Sequence, residues 1–422
     1  MRPLIARTTA VSSLFALVLS CSSCAATGAG NQSRSGGDRP TGERGGPPGP
    51  ARTSPYVTFG FDLYHELLVE RAGENIFISP ASVGLALAMT YNGARGETML
   101  DMAKVLGFGE RTLAETNRSD SALIAAMNAL RDGIELSIAN ALWARAGLHF
   151  NAEFLARDKR YYGAEVRSID FTSAEAPATI NGWVAEKTKN RIPEIVGRID
   201  ESTILFLINA IYFKGTWTRE FDAKETREQP FYATGGEKTV PMMRQSASYL
   251  YLRGDGFQVA AIPYGDGRMS MYVFLPDERT GLDEFNAKLS GERWESWMSL
   301  LATRKGFIAL PRFKLEFKAE LKRALTALGM GIAFEGDRAD FGGMIEQTGQ
   351  NAYMSDVVHK TFVEVNEKGT EAAAATSVEM RFTSVMEPET PFEMVCDHPF
   401  FVAIRDNETG LILFMGSIVD PR

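Results

Sequence analysis

The chain is poor in the residues that carry metal and redox chemistry: its 422 residues include three cysteines and four histidines. No pair of these has metal-ligand spacing, so neither a metal site nor a cofactor is expected. Clustered positive charge is lacking as well. Lys and Arg number 45 against 53 Asp and Glu, for a net charge of −8, and the basic residues are scattered. Nothing here recommends nucleic acid as a partner, and no stripe marks a polyanion site. Catalytic constellations are missing too. Ser355, Asp356 and His359 are the residue types of a triad, but no nucleophile elbow or oxyanion loop surrounds them. Asp340-Phe341-Gly342 copies a kinase triplet without a Gly-rich phosphate loop or a His-Arg-Asp loop. The chain is not expected to be an enzyme.

What is present is apolar substance. Hydrophobic residues make up 45% of the chain, ample for a sizeable core. No internal linker divides residues 55–422, which read as one large domain. The N-terminus reads as a targeting segment. Arg2 and Arg7 supply positive charge, and Ala10 to Leu19 is an apolar run too short to span a bilayer. Val18-Leu19-Ser20-Cys21 resembles the lipobox of bacterial lipoproteins, which implies lipidation of Cys21. Leu19 is a less usual occupant of its place, Cys24 is a poorer second candidate, and ordinary secretion with cleavage near Ala25 or Ala26 is the alternative. Residues 1–20 are thus expected to be a lipoprotein-like signal peptide. Residues 21–54, rich in Gly, Pro, Ser and Arg, are expected to be a disordered tether. The protein would be exported and lipid-anchored at the cell envelope (the outer membrane in a diderm) or extracellular. It would touch the membrane only through that anchor. With Cys24 in the tether and Cys396 in the domain, no structural disulfide is expected.

Helical spacing dominates the first half of the domain. Phe59–Val69, Glu97–Leu106, Ala122–Arg131, Ala152–Tyr161 and Thr179–Lys189 read as helices. Ser79-Pro80 is a helix start, serine as N-cap and proline at the first helical position, with Gly93 as the stop. Strands follow. Thr203–Phe213 is an apolar run broken only by Asn209, as expected of a strand covered on both faces. Gln258–Tyr264 and Met269–Leu275 flank a Gly-Asp-Gly hairpin signal. Phe313, Leu315 and Phe317 alternate with charges, and Lys318–Leu328 reads as a helix ended by Gly329. Phe400–Ile404 and Leu411–Phe414 close the chain. The class is α+β.

Thr370 to Phe382 is the most informative segment. Its four consecutive alanines favour a helix. Its parity favours a strand. Thr370, Ala372, Ala374, Thr376, Val378, Met380 and Phe382 are uncharged, and every charge (Glu371, Glu379, Arg381) falls on an odd position. Strand side chains alternate faces, so one face could be buried and the other left in water. Such a segment suits a conformational switch; the plain alternative is a polar loop that happens to alternate.

The string Glu367-Lys368-Gly369-Thr370-Glu371-Ala372-Ala373-Ala374-Ala375-Thr376 closely resembles the reactive-centre-loop hinge of inhibitory serpins. Asn75-Ile76-Phe77-Ile78-Ser79-Pro80-Ala81-Ser82 resembles the start of the family's helix B. Leu207 to Trp217 resembles its central strand, and His398-Pro399-Phe400-Phe401 and Phe414 to Pro421 its C-terminal strands. The matches keep the family's order over roughly residues 55 to 422. The resemblance implies the serpin fold, with three β-sheets, eight or nine helices and an exposed reactive-centre loop at about 367–391. It implies a monomeric suicide inhibitor of serine proteases. The cleaved loop would insert as a new strand into the main sheet and drag the acylated protease with it. Glu367 to Thr376 would be the hinge, Ser79, Ser82, Asn209 and His359 the shutter, and Trp217 the breach where the hinge enters. The family's spacing puts the scissile bond at Thr383-Ser384, which suits an elastase-like or other small-pocket protease. A shift to Phe382 favours chymotrypsin-like targets, and one to Arg381 trypsin-like targets. A non-inhibitory serpin acting as carrier, chaperone or store is the rival within the family.

Overall fold

Two small capping signals show how local sequence sets this architecture. In the computed structural model, which describes residues 54–129, 133–200, 203–279, 281–346, 352–370 and 390–421, the Ser79 hydroxyl accepts from the Ser82 N–H at 3.3 Å. Pro80 then occupies the first helical position. Further on, Thr112 and Glu115 form a reciprocal capping box. The helices among the described residues are α1 (Pro55–Glu70), α2 (Pro80–Tyr91), α3 (Gly96–Val105), α4 (Leu113–Asn128), α5 (Ala152–Tyr162), α6 (Ala176–Lys187), α7 (Leu282–Lys288), α8 (Gly291–Leu300) and the single turn α9 (Lys322–Leu325). All twelve residues of α2 are buried, as a helix apolar all round must be. Helix α4 begins nine residues before the expected Ala122. Its first turns are polar, so apolar spacing does not reveal them; the Thr112 cap does.

The strands are β1 (Ile76–Ile78), β2 (Ile134–Arg145), β3 (Glu165–Ile169), β4 (Leu205–Thr216), β5 (Arg227–Ala233), β6 (Gly236–Arg253), β7 (Phe257–Tyr264) and β8 (Met269–Pro276). They continue with β9 (Ala302–Pro311), β10 (Phe313–Glu320), β11 (Met354–Asn366), β12 (Gly369–Thr370), β13 (Phe392–Val395), β14 (Phe400–Asp406) and β15 (Ile412–Ile418). One sheet runs β10-β11-β12-β4-β2-β3. The other runs β1-β15-β14-β8-β7-β6-β9-β13, with β5 beside β6. The long strand β6 joins what would be two smaller sheets: Gly236–Met242 pairs with β5 and Met242–Tyr251 with β9, while Leu250–Arg253 pairs with β7.

The expected helix over Lys318–Leu328 starts late, at Lys322, and ends at Gly329 as expected. The alternation of Phe313, Leu315 and Phe317 continues through Ala319, all buried, and carries the strand to Glu320. A short helical turn and a wider turn follow, with Gly329 at φ +109°. Strands β2 and β11 escape a reading by alternation because each is buried over long stretches of both faces.

Strand β4 shows why its sequence is apolar throughout. Leu205, Leu207, Ile211 and Phe213 enter the main core. Phe206, Ile208, Ala210 and Tyr212 enter a second core, closed by Ile180, Trp183 and Val184 of α6 and by Ile192, Ile195 and Val196. Val358 and Phe362 of β11 share that second core, so its cover lies over the seam where β11 meets β4.

Candidate functional site

The seam between β11 and β4 is closed below and forked above. Met354–Phe362 pairs directly with Leu205–Tyr212, in parallel. Above that, β12 stands between the two strands. Val365 pairs with Thr370 and Asn366 with Gly369 on one side; Gly369 pairs with Thr216 and Thr370 with Gly215 on the other. Both of these pairings are antiparallel. The first residue of the 370–382 switch segment, Thr370, and its pivot Gly369 therefore already occupy the mouth of the sheet.

Each residue at the fork has a physical reason to be there. Gly369 has φ +145°, and a Cβ on it would stand 2.0 Å from the Gly215 carbonyl oxygen, so only glycine fits. Thr370 is fully buried, and its hydroxyl lies 2.6 Å from that of Tyr264. It is the one inward position of the switch segment among the described residues, and it is small and uncharged. Trp217 stacks on Tyr264 at 4.3 Å. Its indole N–H donates to the Asn366 carbonyl at 2.9 Å and its backbone N–H to that of Lys368 at 2.9 Å. Phe221 N–H donates to the Glu367 carbonyl at 2.8 Å. Three successive carbonyls of the turn before β12 are thus held from one segment.

Glu367 anchors the turn through its side chain. Arg312 reaches its carboxylate with Nε at 2.7 and 2.9 Å and with Nη2 at 2.5 Å, and the Thr226 hydroxyl donates at 2.5 Å. Burial pushes the Glu367 carboxyl up, but the Arg312 and Thr226 contacts outweigh it and hold the group below the usual range. An open groove of about 890 Å3 borders this anchor, with Phe221, Arg312, Glu367 and Lys368 among its walls.

Ser79, Ser82, Asn209 and His359 come together lower on the seam, all fully buried. The Ser79 N–H donates to His359 Nε2 at 3.0 Å, so the neutral ring carries its proton on Nδ1. Nδ1 then donates to Asn209 Oδ1 at 2.5 Å. Asn209 Nδ2 donates to the Ser82 hydroxyl and to Asn140 Oδ1, each at 2.5 Å. Burial drives the His359 pKa down to about 3, which keeps the ring neutral. His359 pairs with Asn209 across the β11–β4 seam, and Asn140 pairs with Asn209 across β4–β2, so one buried polar row crosses three strands. Beside it the Thr361 hydroxyl donates to the Phe77 carbonyl at 2.5 Å.

Arg312, Thr226, Tyr264, Asn140 and Thr361 were not singled out from the sequence. Nothing local marks them, because each acquires its partner through long-range strand pairing. The apparent triad dissolves: the Ser355 hydroxyl accepts from Ile204 N–H at 3.0 Å, Asp356 accepts from the next backbone N–H, and His359 serves the seam. Cys396 is buried and free, and burial pushes its thiol pKa up. Among the described residues no group of three or more His, Cys, Asp or Glu gathers to hold a metal. Cys21, Glu371 to Thr376, Arg381, Phe382, Thr383 and Ser384 lie outside the described residues.

Comparison with known proteins agrees with this geometry. The chain is 38% identical over 367 residues to an uncharacterized serpin-like protein of Thermococcus kodakarensis, covering 86% of this chain and 84% of that protein. It is 40% identical over 379 residues to the leukocyte elastase inhibitor of Sus scrofa, covering 86% and 97%. Human thyroxine-binding globulin in complex with thyroxine superposes with a TM-score of 0.80 at 30% identity, covering 87% of this chain and 98% of that one. The family model described as serpin (serine protease inhibitor) matches residues 55–421, and the chain belongs to the serpin family.

Proposed function

We propose that this protein inhibits serine proteases as a suicide substrate. A protease cleaves the loop between β12 and β13 and is held as the acyl-enzyme. The freed loop then zips down the seam as a new strand, carrying the protease with it. Glu367 to Thr376 act as the hinge, Ser79, Ser82, Asn209 and His359 as the shutter, and Trp217 marks the breach.

The observation that carries this reading is the seating of Gly369 and Thr370 between β11 and β4. Below them β11 and β4 form a parallel pair. A strand entering between them in the direction of β12 would replace that ladder by two antiparallel ones. Antiparallel pairing is slightly more stable per residue, and the number of inter-strand hydrogen bonds would rise. Ala372, Ala374 and Thr376 would enter without burying a charge. Val378, Met380 and Phe382 would each add roughly 1.5–3 kcal/mol by full burial. Serpin loop insertion is a standard illustration of stored strain released by cleavage, and the seating of Gly369 and Thr370 supports that reading here.

Thr383-Ser384 is taken as the scissile bond, with Phe382 or Arg381 as the alternative residue before the cut. Thr383 favours an elastase-like target, in keeping with the name of the Sus scrofa relative. Residues 1–20 are taken as an export signal and Cys21 as a lipid anchor, with the tether holding the inhibitor off the cell envelope. Those assignments rest on the sequence features of that segment alone.

The second reading is a non-inhibitory carrier, favoured by the likeness to a thyroxine-binding protein. Thermal unfolding of intact and loop-cleaved protein separates the two. Insertion predicts a marked rise in Tm after cleavage. An unchanged or lower Tm would overturn the inhibitor mechanism.

A further inference from the structure

Away from the seam, six polar side chains form a buried chain between helices. Tyr56 stands on α1, Asn92 directly after α2, Asn117 and Asp120 on α4, and Asp158 and Tyr162 on α5. Asn92, Asn117, Asp120 and Asp158 are each less than 5% exposed. The Asp120 Oδ2 and Tyr162 hydroxyl oxygens are 2.8 Å apart, and the Tyr162 hydroxyl is 2.8 Å from Asn117 Oδ1. Asn117 Nδ2 donates to Asn92 Oδ1 at 2.7 Å, and Asn92 Nδ2 to Asp158 Oδ1 at 2.9 Å.

Counting protons along this chain leads to a definite result. Four links join Asp120 to Asp158, and each needs one hydrogen. Tyr162 has one to give. Each carboxamide gives one within the chain, because its oxygen faces one neighbour and its nitrogen the other. The fourth hydrogen must come from a carboxyl group. Reversing both carboxamides moves that requirement from Asp120 to Asp158 but does not remove it. Asn92 Nδ2 also reaches the Ala88 carbonyl at 3.4 Å, which selects the orientation that leaves the proton on Asp120. The Tyr56 hydroxyl donates to the other Asp120 oxygen at 2.9 Å.

The charged surroundings are uneven. Arg111, at the foot of α4, faces Asp120, and Arg157 of α5 faces Asp158 while donating to the Asn92 carbonyl at 3.0 Å. Asp158 Oδ2 has no hydrogen-bond partner among the described residues. Burial raises the Asp120 pKa to about 6 and that of Asp158 well above the usual range, and it raises both tyrosines, with Asp120 adding to the rise. A cavity of about 290 Å3 is bordered by Tyr56, Arg111 and Asp120.

The position of this chain gives it leverage. Helix α5 is carried between β2 and β3, on β4's side of the seam. Helices α1 and α2 pack against β15 of the other sheet, and α2 packs also against β4 and β2. We propose that a single proton, held on Asp120, completes this chain to Asp158, and that this proton latches α5 and its sheet edge to α1 and α2. The latch is closed in mild acid and opens as the proton leaves.

The sign follows from linkage. A carboxyl whose folded pKa is raised stabilises the fold below its unfolded pKa, and that stability is lost as pH rises through the folded value. The test is the thermal unfolding of the full chain between pH 4.5 and 7.5, compared with Asp120→Asn. The amide at 120 can donate to Tyr162 and accept from Tyr56 without titrating. The Tm of the wild type should fall by a few degrees relative to D120N as pH rises across this window. Tyr162→Phe leaves Asp120 buried and removes a hydrogen bond that holds its pKa down, so its Tm should still fall with rising pH but over a higher range than in the wild type, a check that stands even if D120N folds poorly. Profiles of D120N and Y162F parallel to the wild type would overturn the proposal. The Tm profile tests the latch itself whether or not the loop inserts.

Discussion

The hydroxyl of Thr370 lies 2.6 Å from that of Tyr264, both groups fully buried, at the point where β11 and β4 part. The site admits a small polar side chain and nothing charged. Thr370→Arg would have to bury an unpaired guanidinium or keep the hinge out of the sheet, and the first costs several kcal/mol. The expected outcome is a protein that proteases cut as an ordinary substrate. Gel electrophoresis of protease mixtures should show cleavage with little or no complex, and the cleaved variant should gain less Tm than the cleaved wild type.

Gly369 sits against the Gly215 carbonyl with no room for a side chain. Gly369→Val should expel β12 from the fork and disturb the Trp217–Tyr264 stack, whose rings are 4.3 Å apart. A changed tryptophan emission relative to wild type, absent when Trp217→Phe is the background, checks this. Identical spectra would mean that β12 stays seated.

Glu367 joins Arg312 and Thr226 at the mouth. Glu367→Ala should lower stability by roughly 1–2 kcal/mol, a modest figure because Arg312 is half in solvent and screened. The folded carboxyl is held below its usual pKa, so the contribution is present above the unfolded value near 4.3 and fades as pH falls through the folded one. Denaturant unfolding at pH 7 and at low pH should show the gap between wild type and variant closing in acid.

His359 gives a pH dependence of the opposite direction to Asp120. Its folded pKa of about 3 lies below the unfolded value near 6.5. Stability is therefore full above pH 6.5 and falls as pH drops toward the folded value. His359→Gln should flatten that acid limb while D120N flattens the limb that falls with rising pH, so the two variants separate the contributions. Asn209→Ala leaves the His359 Nδ1–H and Asn140 Oδ1 unpartnered and should cost about 2–4 kcal/mol in denaturant unfolding.

Much of this was legible in the sequence because it depends on local pattern. Ser79-Pro80 starts α2 as its cap and proline require, and the apolar run through Asn209 is a strand buried on both faces. The parity of the switch segment accounts for the inward, buried Thr370. Other parts depend on partners far along the chain. Arg312 is an ordinary surface-type residue until β10 brings it beside Glu367, and Asn140 looks like a strand polar residue until β2 aligns it with Asn209. The helix expected over Lys318–Leu328 begins only at Lys322 because strand alternation runs three residues into its span, to Glu320. The buried chain from Asp120 to Asp158 was invisible for the same reason: Asn117 and Asp120 stand at helical spacing on α4 and Asp158 and Tyr162 on α5, but nothing local pairs those two helices with each other or with Asn92.

The most direct test is to incubate the protein with elastase, chymotrypsin, trypsin and subtilisin, resolve the mixtures under denaturing conditions and weigh the released C-terminal peptide. The expected result is a covalent complex that survives SDS and a peptide beginning at Ser384. Complete loop cleavage by these enzymes with no complex from any of them would contradict the claim that this protein traps proteases.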